Sequence, residues 1–154
     1  MEVIVERGKS IEATRVPGAT DTRTAVVPGK GLWAGRIMSG LAILFLAFDA
    51  VGKLLRLAPV IEGSARLGYP VSAIFGLGVV LLVCVVTYAI RPTSILGAIL
   101  LTGYLGGAIA THVRVGDPLF SHTLFPIYIA VLIWGGLYLR DARLRAMIPL
   151  RARD

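Results

Sequence analysis

The chain has a single cysteine, Cys84, and that scarcity closes off several chemistries. A lone thiol makes no internal disulfide, no CxxC redox pair and no thiolate metal site. The sequence also lacks any haem-ligand, iron–sulfur or flavin motif, so it carries no autonomous catalytic motif for electron transfer. Charge is sparse: 16% of the residues are Asp, Glu, Lys or Arg, with 9 acidic against 16 basic and a formal net charge of +7. Long stretches hold no charge at all, whereas a soluble domain of this size needs charged residues along every element. There is no interleaving of basic and aromatic residues of the kind that binds single strands, so no nucleic-acid partner is expected. The positive balance sits in the two tails and suits anionic lipid heads.

What the chain does have is apolar length: 56% of its residues are hydrophobic. Residues 1–31 mix charges of both signs with Thr, Pro and Gly and read as a flexible cytosolic tail. Four apolar runs follow, at about 33–53, 71–90, 93–113 and 120–139. Each has about the 20 residues that cross a hydrocarbon core of ~30 Å. Residues 143–154 form a basic cytosolic tail. The expected fold is therefore an all-α integral membrane protein, an antiparallel four-helix bundle over residues 32–142. Tyr69-Pro70 and Arg91-Pro92 punctuate the second span, and proline suits the first turn of the helix that follows. Basic residues crowd the tails and the turn at Arg91, leaving Lys53, Arg56, Arg66 and Arg114 for the opposite side. The positive-inside rule then predicts a multi-pass protein with both termini cytoplasmic. The arginines at the cytoplasmic end read as solvated.

Inside this apolar frame, Asp49 and Lys53 are conspicuous. They lie four residues apart on one face of the first helix, acid before base. An intramembrane ionisable pair costs about 2.5–3.5 kcal/mol per residue at a helix centre and needs partners. The pair reads either as self-neutralising, with Lys53 snorkelling to the headgroups, or as taking part in proton or ligand chemistry. Counting outward at about 1.5 Å per residue places Asp49 about 9 Å, and His112 and His122 about 12 Å, from the bilayer centre on the outer side. Imidazole takes up and releases a proton near neutral pH, so Asp49, His112 and His122 are the proton-handling candidates. Lys53, Tyr104, Arg114, Asp117 and Glu62 are the ligand-binding candidates, because each falls on the same face or in the loops above. The spacing of His112 and His122 matches no ligand pattern, and no metal is expected. Gly103 and Gly107, like Gly35 and Ser39, form small-xxx-small spacings expected to let neighbouring helices approach, with a homodimer as a weaker option. The segment LLRLAPVIEGSARLGYP predicts a short interfacial helix starting near Pro59, which could cover the polar cluster.

The strings FDAVGKLLR, LGYP, GAILLTGYLGGAIATHVRVGDPLFSHTLFP and WGGLYLRDARLR resemble the DoxX-like family of small four-helix bacterial membrane proteins, over about residues 32–150. The resemblance implies a redox-associated subunit of the bacterial inner membrane. It makes quinone a candidate ligand, with no intrinsic cofactor, and an oxidoreductase subunit a candidate partner besides the lipid bilayer. Asp49, Lys53 and His112 match positions of the family's recurring polar motifs. Three functions remain open at this point: an accessory or quinone-interacting subunit of a membrane oxidoreductase system, a small solute or lipid transporter or binding protein, and a structural anchor for a partner enzyme. Few polar residues continue toward the cytoplasmic half, which ranks transport below the first.

Overall fold

The structure is a computed structural model that describes residues 29–148. The tail expected at residues 1–31 lies outside the described residues except for Gly29–Gly31, which already belong to the first helix. Helix α1 is Gly29–Leu54, α2 Ala58–Arg66, α3 Val71–Ala89, α4 Ser94–Val115, α5 Phe125–Arg140 and α6 Ala142–Met147. Four segments are long and apolar enough to cross a membrane: Gly29–Leu54, Val71–Ala89, Arg91–Val115 and Leu119–Arg140. The expected all-α architecture of four membrane-spanning helices is what the chain adopts, and among the described residues there is no strand.

Local chemistry sets the breaks. The α1–α2 turn passes through Arg56 at φ 50°, a left-handed conformation that costs about 1–2 kcal/mol in an L-residue. Its guanidinium lies 5.7 Å from the centre of the Phe75 ring on α3, a cation–π contact that helps offset that cost. Pro59 occupies the first turn of α2, where its missing N–H is no loss, as the sequence suggested. Pro70 precedes α3, and Arg91–Thr93 forms one 3₁₀ turn before α4. Gly116 ends α4 at φ 72°, the left-handed cap that glycine accepts without penalty. The fourth span starts as a wide π-type turn, Leu119–Thr123, before α5 begins. Pro126 accounts for this: it lacks an N–H, and its ring would strike the carbonyl four residues back in a continuous α-helix.

The four long helices pack as a ring in which α1 and α4 each touch both α3 and α5. Ala42, Leu46 and Ala50 make the inward stripe of α1 and meet Leu81 and Val85 of α3, Leu101 and Leu105 of α4, and Ile129 and Ile133 of α5. The outward faces are apolar too: Leu44 is 70% and Phe48 75% exposed. Helices that are hydrophobic all round belong in a bilayer. Tyr88 is fully buried and ties three helices together, its hydroxyl donating to the Ile133 carbonyl at 2.9 Å and lying 2.9 Å from Ser39 Oγ.

Small residues set the closest approaches, but not all those expected. A Cβ on Gly35 would lie 2.9 Å from the Gly136 carbonyl oxygen, and one on Gly136 2.5 Å from Ser39 Oγ, so the Gly35–Ser39 spacing is the α1–α5 seam. Gly97 presses on the backbone of Tyr88, with the Thr87 carbonyl carbon 2.7 Å from where its Cβ would be. Gly103 and Gly107 have nothing within 4 Å of a Cβ position. The expectation that these two pack a neighbouring helix is therefore wrong. α3 and α4 touch through Gly97 and the Tyr88 backbone, whereas the later glycines face open space.

Candidate functional site

The space left by Gly103 and Gly107 is part of a cavity of about 730 Å³ at the end of the bundle where α2 lies. Its inner wall is apolar, with Phe45 and Leu46 from α1, Leu105 from α4 and Phe125 and Ile129 from α5. Val60, Gly63, Ser64 and Leu67 of the α2 segment line it from the loop side. The amphipathic segment between the first two spans thus covers the polar cluster.

Asp49 and Lys53 come from one face of α1, and the Lys53 ammonium donates to Asp49 Oδ2. The lysine side chain is 15% exposed and the aspartate 35%. Lys53 therefore stays against its partner. Gly78 explains why: α3 crosses α1 so closely there that a Cβ would lie 2.9 Å from Lys53 Cβ. The lysine stem is held beneath α3 and its ammonium turns back to the carboxylate.

His112 is in the last turn of α4, and its Nδ1 lies 2.6 Å from Asp117 Oδ2 beyond the Gly116 cap. The backbone closes the same loop, with Asp117 N donating to the His112 carbonyl at 3.1 Å. A carboxylate on Nδ1 orients the imidazole and leaves Nε2 as the ring nitrogen open to another partner. His122, on the π-type turn, has Nδ1 2.8 Å from Ser121 Oγ. The two imidazole rings are 6.0 Å apart, centre to centre, at 55°. The fold thus gathers Asp49, Lys53, Tyr104, His112, Asp117 and His122 around one cavity. Among the described residues, no group of three His, Cys, Asp or Glu side chains is placed to hold a metal ion.

A model of the DoxX-like family matches residues 37–136, well over half of the chain. The chain belongs to the DoxX-like family. No curated protein and no solved structure matches it. The matched stretch of this DoxX-like chain holds every candidate from Asp49 to His122.

Two residues expected at the site of this DoxX-like protein are elsewhere. Glu62 is exposed on α2 and is not in the cavity wall, because the inward face of that short helix carries Val60, Gly63 and Ser64 instead. Arg114 is also outside the wall; its Nη2 donates to the Leu67 carbonyl at 2.7 Å and straps the end of α4 to the α2–α3 turn. Conversely, three polar groups of this end were not among the expected site residues. Tyr69 Oη lies 2.8 Å from Thr111 Oγ1, which also donates to the Gly107 carbonyl at 2.9 Å, and Arg66 lines the wall. Thr111 precedes His112 and carries no distinctive local pattern. Tyr69 was legible only as part of a Tyr-Pro turn.

Proposed function

We propose that this DoxX-like protein is an accessory subunit of a membrane oxidoreductase system and that its cavity binds a quinone. The observation that carries the proposal is the division of one cavity into an apolar wall around Phe45, Leu105 and Ile129 and a polar rim around Asp49, Lys53, Tyr69 and His112. This is the lining that an amphipathic ring with a lipophilic tail requires: a mostly apolar enclosure with a few fixed polar groups. A bound quinone supplies two-electron, two-proton chemistry. The residues present fit its needs. The Lys53 ammonium is the donor for a carbonyl oxygen, and the His112–Asp117 pair stands with it at the polar rim. The electrons belong to a partner subunit, since this sequence has no redox-centre motif.

A solute transporter would use the same rim. Fully buried Leu81, Leu101 and Ile133 lie between this end and the other, and they weigh against a polar route through the bundle. On the positive-inside rule the rim faces the outer side of the inner membrane, with both termini in the cytoplasm.

The test is purification in native lipids followed by mass spectrometry of bound small molecules and proteins. A quinone and an oxidoreductase subunit are expected to co-purify; absence of both sinks the proposal. Asp49→Asn and His112→Ala are expected to impair the complex while leaving its amount in the membrane nearly unchanged. Parallel loss of protein and activity would instead give these residues a structural role.

A further inference from the structure

At the opposite end of the bundle, Arg36 of α1, Arg91 of the 3₁₀ turn, Arg140 of α5 and Arg143 of α6 line a second cavity of about 480 Å³. One carboxylate, Asp141, shares it. Its Oδ1 accepts from the backbone N–H groups of Arg143 at 2.8 Å and Leu144 at 3.4 Å as the cap of α6, and it makes no ion pair with an arginine of the wall. Ser94, also in the wall, is likewise spent, donating to the Arg91 carbonyl at 3.0 Å. The ion pairs among the described residues are Lys53–Asp49 and His112–Asp117, and neither touches these arginines.

Arg140 departs most from a solvated arginine. Its guanidinium lies 5.2 Å from the centre of the Tyr88 ring, which covers one face. Nε and Nη2 are buried and have no hydrogen-bond partner among the described residues. Arg145, outside the cavity wall, shares that condition. Buried donors on a charged group are costly to leave without an acceptor, and a guanidinium fork matches the oxygens of a phosphate. Helix dipoles do not decide the sign of the site. α1 and α4 bring their N-termini to this end and α3 and α5 their C-termini, so the contributions offset and the four guanidiniums prevail.

We propose that this cavity is a phosphate-binding site, occupied by the headgroup of an anionic phospholipid. The volume leaves room for a phosphate with the glycerol that carries it. The site stands at the end of spanning helices whose outer faces are apolar, where the headgroups of a leaflet lie. It does not depend on the quinone reading of the other cavity.

The test uses the full-length chain, delipidated in detergent. It is titrated with phosphatidylglycerol and with phosphatidylcholine by native mass spectrometry, and separately with inorganic phosphate while thermal unfolding is followed. The probing variant is Arg91→Gln/Arg143→Gln, because both side chains are exposed and Arg140 keeps its packing on Tyr88. Arg56→Gln/Arg114→Gln removes the same charge at the other end. A preference for phosphatidylglycerol on the order of tenfold is expected, lost in the first variant and kept in the second. Stabilisation by inorganic phosphate, absent in the first variant, without any lipid preference would support the phosphate site and assign it a free anion. Equal loss of lipid preference in both variants, its retention in the first, or no response to either probe overturns the proposal.

Discussion

The two ends of the bundle handle charge in opposite ways. In the cavity at the α2 end, both acids of the wall have a basic partner: Asp49 with Lys53, and Asp117 with His112. At the other end the arginines outnumber the carboxylate, and the carboxylate is committed to capping α6. The first cavity pairs its carboxylates internally and leaves Arg66, among the described residues, as the one wall arginine without an ion pair, which suits a ligand with little charge. The second is complete only with an anion. The contrast follows from what each end is made of, since ion pairs under an apolar lid must be internal, whereas arginines at a helix end can take partners from lipid.

The comparison can be broken most severely through packing. Gly97→Ala drives a methyl into the Tyr88 backbone and should destabilise the bundle by about 3 kcal/mol, visible in unfolding of the purified protein. Because Arg140 stacks on Tyr88, the same change should disturb the arginine end more than the α2 end. Hydrogen exchange resolved along the chain measures that difference. Asp49→Asn strikes the other end through charge. Asn keeps an oxygen that accepts from the mostly covered Lys53 ammonium but loses the charge, so the cost should stay at about 1 kcal/mol. A double-mutant cycle with Lys53→Met isolates the pair, and zero coupling would show that the two residues act independently.

Arg114→Gln should cost about 1 kcal/mol, because it removes one hydrogen bond to the Leu67 carbonyl. Its signature is faster exchange in the α2–α3 turn, with the arginine end unchanged. Smallest in stability is Gly103→Ala, expected to stay within about 0.5 kcal/mol, since nothing lies within 4 Å of the new methyl. It narrows the cavity, so quinone binding should weaken while unfolding does not change. Matched losses of binding and stability would return Gly103 to the role of a helix contact.

Much of the scaffold was legible in advance because its causes are local. Pro70 and Pro92 mark helix starts, Gly116 marks a helix end, and the segment after Leu57 has the pattern of a short amphipathic helix. The Asp49–Lys53 pair was legible for the same reason: residues four apart on a helix meet whatever surrounds them. The His112–Asp117 contact depends on a tight turn that Gly116-Asp117-Pro118 announces. Legibility fails where partners come from distant segments. Tyr69 and Thr111 are 42 positions apart, and neither has a local reason to be noticed. Identical small-residue spacings behaved differently: Gly35 and Ser39 meet Gly136, whereas Gly103 and Gly107 meet nothing.

By itself, then, the sequence determined the class of protein, the number of spans, where they break and which neighbours along a helix pair. These are consequences of hydrophobic length, helical period and the backbone limits of proline and glycine. Only the tertiary structure decided which glycines close a seam and which open a cavity, and that Arg114 and Glu62 stand outside the cavity wall. It also decided that Arg36, Arg91, Arg140 and Arg143, scattered along the chain, share one cavity. The reason is geometric: antiparallel helices bring distant positions to one level, but their contacts depend on where bulky side chains such as Tyr88 hold the helices together or apart.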